Sequence, residues 1–345
     1  MLPEKRVNIS QVAALAGVSK QTVSRVVNAS PNVAKETRER VMQAIAQLGF
    51  RPSATARNLS QGRSYTLAVV GSNLGFLATD LYQGAAAQAE DMGYGLLLRT
   101  LADSSVEQVE ALLLSLLDLQ VDGVLWAIPD VGGNRAWLDS GLLSRIPLPV
   151  VFMSSEPRDG TVTVSFDNFD GARIATQHLI DSGHTCIAHL SGPLDWWVAR
   201  ERVRGWRAAL TAAALPVDDG LIVEGDWSPA AGEQAMGRLL DTRRDIDAVF
   251  VANDRMALGA LLAAHRRGVQ VPQQLAVIGF DNIIESACFH PPLTTVLQDK
   301  RHHGEIAIAT LAREVEVRLS GKPLAPRSTE ELGHSLIVRE SSGQV

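Results

Sequence analysis

VNISQVAALAGVSKQTVSRVVN, from Val7 to Asn28, is the stretch from which the rest of the chain is read. Asn8 can cap a short helix, with Gln11 three residues on completing a capping box, and Ile9, Val12, Ala13 and Ala16 marking its apolar face. Gly17 ends that helix. Ser19 can cap a second one, in which Val23, Val26 and Val27 turn inward while Lys20, Gln21, Ser24, Arg25 and Asn28 turn outward. Two short helices joined through a Gly-containing turn have the layout of a helix-turn-helix. In that layout the first turn of the second helix meets the major groove, where Lys can bond guanine O6 or N7 and Gln can pair with adenine N6 and N7. Lys20 and Gln21 are the expected base readers. Ser19, Thr22, Ser24, Arg25 and Asn28 can add phosphate bonds or further base contacts. The alternative is an ordinary helical hairpin with a polar outer face.

Downstream, Val41, Ile45 and Leu48 give a third helix an inward stripe, and Gly49 is a stop signal. Asn32 and Thr37 remain as possible phosphate contacts beside it. Arg51 and Pro52 break the chain. SATARNLS, Ser53 to Ser60, has helical composition but is too short to hold alone in water.

Here the sequence resembles the LacI/GalR family of bacterial transcription repressors, and VSKQTVSRVVN is similar to the lactose repressor subgroup. The resemblance implies that SATARNLS is a hinge helix, folding on DNA beside its dimer mate and driving Leu59, with Ala56 beside it, into a minor-groove base step. Without the resemblance, packing on the neighbouring domain is the expectation for Leu59. The family commonly opens the third helix with Ser or Thr. Ala34 stands there instead and cannot cap, a loss of about 0.5 to 2 kcal/mol.

Composition supports a split molecule. The 345 residues are 46% hydrophobic and 20% charged, enough for two or three well-buried domains of an ordinary globular protein. Net charge is -6, but residues 1–63 hold ten Lys and Arg against three acids, +7, leaving -13 on the remainder. A basic head on an acidic body is the footprint of a nucleic-acid-binding module joined to a non-binding one. MLPEKRVN has no apolar export core and no apolar run is long enough to span a bilayer, so a cytoplasmic location and no membrane partner are expected. Cys186 and Cys288 have no metal-ligand spacing and read as reduced, buried thiols.

From Tyr65, short apolar runs alternate with amphipathic helices, the signal of βαβ units. TLAVVG, YGLLLRT, DGVLWAI and PVVFMS form one series of strands. TCIAHLSG, LIVEGD, DAVFVAND and LAVIGFDN form a second, after TVTVSFDN. The expected fold is an all-α helix-turn-helix head plus an α/β bilobed, periplasmic-binding-protein-like core of two doubly wound parallel-sheet lobes around a ligand cleft. The expected boundaries are 1–52 for the head, 53–63 for the hinge and linker, 64–165 with 297–322 for the first lobe, and 166–296 with 323–345 for the second. VANDRMALGA, VIGFDN and PPLTTV carry the resemblance into the core. No heptad tail follows Val338, so a homodimer is expected on a pseudo-palindromic operator.

The resemblance matches Arg200, Asn253 and Asp281 to positions that hydrogen-bond an effector's hydroxyls, and Trp227 to an aromatic platform. An Arg, an amide and a carboxylate together suit a sugar. Ser72, Phe76, Ala127 and Ser154 are placed at the first lobe's rim, and Trp196 with Trp197 at the cleft mouth. Ser154 and Arg255 replace the subgroup's Asp and Gln, so its ligand is not inherited. The competing reading makes Arg200 and Asp281 a salt bridge and Trp227 core. No G-x-S-x-G, Walker A or H-E-x-x-H motif occurs, and adjacent His302 and His303 diverge on a helix, so neither an enzyme, a cofactor nor a metal is expected. The expectation is a sugar-released repressor. A nucleobase-dependent regulator is the first alternative, with Phe76 and Trp227 as stacking candidates. A solute receptor and a sugar-transforming enzyme come after it.

Overall fold

The computed structural model describes residues 7–27, 30–50, 63–72, 79–321 and 328–343. Asn28, Ala56, Leu59, Phe76 and nearly all of the expected hinge segment lie outside them. Two compact units divide the chain, residues 1–65 and 66–345.

The first unit is built as its caps dictate. Helix α1 (Ile9–Ala16) opens on a complete capping box, with Asn8 Oδ1 accepting from the Ser10 and Gln11 N–H groups and Gln11 Oε1 accepting from the Asn8 N–H. Gly17, at φ +64°, closes it in the left-handed region that favours glycine. At the start of α2 (Lys20–Val27) the Thr22 N–H donates to Ser19 Oγ at 3.1 Å. Helix α3 (Lys35–Leu48) begins at Ala34 with no side-chain cap. Val12, Ala13, Ala16, Val23, Val26, Val41 and Ala44 close the small core between the three helices.

The second unit contains two six-stranded sheets. In the first lobe, β1 (Thr66–Gly71), β2 (Gly95–Thr100), β3 (Gly123–Trp126), β4 (Val150–Met153) and β5 (Val162–Phe166) are flanked by α4 (Thr79–Asp91) and α5 (Val106–Asp118). The second lobe comprises β6 (Ile187–Ser191), β7 (Ile222–Glu224), β8 (Ala248–Val251), β9 (Ala276–Asp281) and β10 (Thr294–Leu297), with α6 (Asn168–Asp181), α7 (Trp197–Ala212), α8 (Pro229–Thr242) and α9 (Asp254–Arg266). Helix α10 (Lys300–Leu319) then returns to the first lobe and packs against α4.

One boundary needs correcting. Residues 323–345 do not lie wholly in the second lobe: β11 (Ser328–Leu332) pairs in parallel with β5, giving the order β11-β5-β4-β3-β1-β2. It covers an edge of β5 that would otherwise stand unpaired. Only then does β12 (Ser335–Ile337) join the second sheet, antiparallel to β10, in the order β12-β10-β9-β8-β6-β7.

The chain therefore passes between lobes three times, and His334 ties the passages together. Its Nε2 lies 2.7 Å from the Asp167 carbonyl oxygen and its Nδ1 3.4 Å from that of Leu297. Elsewhere the lobes meet directly. The Gly132 N–H donates to the Asp195 carbonyl at 3.1 Å and the Trp197 N–H to the Asp130 carbonyl at 3.1 Å, framing an antiparallel bridge between Val131 and Trp196.

Candidate functional site

Two surfaces carry chemistry. On the head, Lys20, Gln21 and Arg25 are exposed on α2, with Thr22 and Ser24 half-buried, while Val23 and Val26 are turned into the core. Ser19 is spent partly on its cap and on a 2.9 Å contact between its hydroxyl and that of Thr22. Asn32 is exposed and Thr37 half-buried around the start of α3. Arg38 donates to the Ser30 carbonyl at 2.6 Å, fastening the loop between α2 and α3.

In the core, β9 ends at Asp281, at φ +113°, followed by Asn282 at φ +54°. Non-glycine residues in this region carry strain and must be held by their surroundings. Asp254 does the holding: its Oδ2 accepts the Ile283 N–H at 2.9 Å and its Oδ1 the Thr295 hydroxyl at 2.6 Å. Thr295 Oγ1 in turn lies 3.3 Å from the Asn282 N–H that donates to it. Burial, first, and the neighbouring Asp281 charge push the Asp254 carboxyl up to about 7. Asp281 itself faces Lys300, whose Nζ is 3.5 Å away.

Trp227 sits at φ +73° with its indole against Gly192, where a Cβ would come within 2.2 Å of the ring. It meets Trp196 edge to face, centroids 5.5 Å apart at 69°. Asn253 is the N-cap of α9, its Oδ1 accepting from the Met256 N–H at 2.8 Å while Nδ2 donates to the Trp227 carbonyl at 3.1 Å. The amide thus holds the platform in place rather than standing free.

Arg200 does not join these groups. It is exposed, and its Nη1 donates back to the Leu194 and Asp195 carbonyls. The buried arginine of α7 is Arg202, two residues on. It lies 3.8 Å over the Phe280 ring and 5.6 Å from that of Trp227, donating from Nε to Asn168 Oδ1 at 2.9 Å and from Nη1 to the Ala252 carbonyl. Burial pulls its pKa down to about 10 against the raising effect of Asp281 and Asp254. Periodicity carried the signal: Ala199, Arg202, Val203, Trp206 and Ala209 form the buried stripe of α7, and Arg200 and Arg204 fall outside it.

Of the remaining candidates, Ala127 is buried, and Ser72 and Ser154 are half-buried at the ends of first-lobe strands. Trp196 takes part in the interlobe bridge, and Arg255 is exposed in the first turn of α9. The expectation of two buried thiols is also corrected, since Cys288 is exposed and Cys186 only half-buried. His303 is buried against the Val164 carbonyl while His302 is exposed beside Glu305. No group of metal-ligating side chains occurs among the described residues.

A helix-turn-helix head and a two-lobed, doubly wound core in one chain define a ligand-responsive DNA-binding regulator. The comparisons agree. Residues 8–53 match the model for bacterial regulatory proteins of the lacI family, and residues 176–342 match a periplasmic binding protein-like domain. The chain is 36% identical over 339 residues to catabolite control protein A of Priestia megaterium, covering 97% of this chain and 99% of that one. It is 36% identical over 310 residues to the ribose operon repressor of Escherichia coli strain K12, covering 89% and 92%. The lac repressor dimer bound to operator and the anti-inducer ONPF superposes with a TM-score of 0.84 at 31% identity, covering 98% and 99%. The chain belongs to the lacI family: it is a transcriptional regulator, not an enzyme.

Proposed function

We propose that this protein represses carbohydrate-utilisation genes, binding a pseudo-palindromic operator as a homodimer in the cytoplasm and leaving it when a sugar fills the cleft. The observation that carries the sugar reading is the second-lobe wall, where Arg202, Asp281 and Lys300 stand with the Trp196–Trp227 pair. Charged groups hydrogen-bond hydroxyls while an indole face packs the apolar side of a pyranose or furanose ring. A flat nucleobase calls for parallel aromatic faces, which the Trp196–Trp227 pair at 69° does not offer; its other stacking candidate, Phe76, lies outside the described residues. The name of the ribose operon repressor points the same way.

Base reading falls to Lys20 and Gln21, with Ser19, Thr22, Ser24, Arg25, Asn28, Asn32 and Thr37 on the backbone and Ala56 and Leu59 in the minor groove. Dimerisation has a candidate face in the second lobe. Leu258 and Leu262, one turn apart on α9, are 44% and 40% exposed, and Ile284 is 88% exposed in the segment that Asp254 ties to the same helix. Apolar side chains gathered in this way mark an interaction surface.

Regulation follows from two lobe orientations. A ligand touching both lobes stabilises one of them, and it changes operator affinity only by its differential binding, typically about 1 to 3 kcal/mol. A thermal-shift screen of sugars, sugar phosphates and nucleobases, with hits retested on operator binding, tests the proposal. A sugar that stabilises the protein and weakens operator binding is expected. A nucleobase that stabilises it and tightens operator binding would overturn the sugar reading.

A further inference from the structure

We propose that the effector is an anion: a polyhydroxylated small molecule carrying one carboxylate or phosphate group, which Arg202 and Lys300 receive. This rests on the cleft reading above and narrows it to a ligand class.

Arg202 is 95% buried, being 5% exposed, and among the described residues no carboxylate oxygen lies within 4.0 Å of its guanidinium. The acceptors it does have, Asn168 Oδ1 and the Ala252 carbonyl, are uncharged, and they take Nε and Nη1. Nη2 enters no hydrogen bond with a described residue. Buried charges are ordinarily paired, because a desolvated ion without a counterion is costly. The guanidinium fork also matches a carboxylate or phosphate bidentately, a stronger contact than one to a neutral hydroxyl.

The neighbouring charges, Asp281 and Asp254, meet that demand only in part. Asp281 is shared with Lys300, whose side chain is 28% exposed. Asp254 is fully buried, turned toward Ile283 and Thr295, and holds its proton up to about pH 7. From the first lobe, Ser72, Ala127 and Ser154 bring no charge, and Asp130 turns its Oδ2 to the Ser155 hydroxyl and the Glu156 N–H at 3.1 Å each. Among Arg202, Lys300, Asp281 and a protonated Asp254, positive charge therefore exceeds negative. A neutral sugar leaves that imbalance in place, and an acidic one cancels it.

The test is calorimetric titration of the full-length protein with matched probes: D-glucose, D-gluconate, D-glucuronate and D-glucose 6-phosphate, then D-ribose and D-ribose 5-phosphate. Operator binding is followed in parallel. At least one acidic member should bind tenfold or more tightly than its neutral counterpart, with gluconate or glucuronate leading for a carboxylate site and the phosphates for a phosphate site. Lys300→Met should weaken that acidic ligand about tenfold, and Lys300→Arg should restore it. A neutral sugar binding as tightly as its acidic partner, or no acidic member binding at all, overturns the proposal. In the first case, loss of operator binding on adding the neutral sugar would leave the sugar-released repressor standing and sink only the anionic effector.

Discussion

Replacing Gly192 with Ala tests the geometry of the aromatic platform without needing the effector. An added Cβ would stand 2.2, 2.3 and 2.5 Å from three carbons of the Trp227 indole. Ordinary contacts begin at 3.4 Å, so the ring must retreat by more than 1 Å. It has little freedom to do so. Its backbone is fixed at φ +73° and its carbonyl is bonded to Asn253, while its ring is paired with that of Trp196. Overpacking of this kind costs about 1 to 3 kcal/mol, and disturbing the aromatic pair adds to it. In a domain of this size about 1 kcal/mol lowers Tm by 2 to 4 °C, so a fall of roughly 2 to 12 °C is expected. Differential scanning calorimetry reads the fall, and near-ultraviolet circular dichroism reads the displaced indole. An unchanged Tm with an unchanged aromatic spectrum would refute the packing that positions Trp227.

Further consequences are equally direct. Ala34→Ser supplies the missing cap of α3 and should stabilise the head by about 0.5 to 2 kcal/mol, seen as a higher melting temperature of its transition. Asp254 is held up to about 7 from an ordinary 3.8, so the fold favours its protonated form. The stability this contributes is whole below the unfolded value and is lost as pH rises through about 7, at up to about 1.4 kcal/mol per pH unit. Wild type should therefore lose Tm relative to Asp254→Asn between about pH 4 and 7, and parallel curves would remove Asp254 as the titrating group. Val131 and Trp196 form a non-hydrogen-bonded antiparallel pair, whose Cα atoms stand about 4.5 Å apart and suit a disulfide. A double cysteine variant should cross-link on oxidation, giving one joined peptide by mass spectrometry; free thiols at both positions would contradict the interlobe bridge. Gln21→Ala should relax preference at one operator position by about 1 to 3 kcal/mol, measured by competition with single-base operator variants.

The head was legible because its signals are local. Asn8, Gln11, Gly17 and Ser19 act within a few residues of themselves, and the structure uses each for a cap or a stop. The alternating strands and helices of the core were legible for the same reason. What escaped depends on distant chain. The β11 segment, STEEL, has no apolar strand pattern, and its place is set by the free edge of β5. Lys300 meets Asp281 only because α10 begins next to the end of β9. Arg202 was within reach, since the inward stripe of α7 includes it and leaves out Arg200. Matching by place in a motif picked out Arg200, which is exposed, where helical period picks out the buried Arg202. Asn253 had a visible second reading too, as the residue before a helix start.

The central claim is sequence-specific operator binding by the head, and selection from a randomised duplex DNA pool with the full-length protein tests it most directly. The account predicts enrichment of one pseudo-palindromic site, bound more tightly than unselected DNA by a factor of 10³ or more and weakened steeply by salt. Uniform recovery of all sequences, or a selected site without two-fold symmetry, would contradict it.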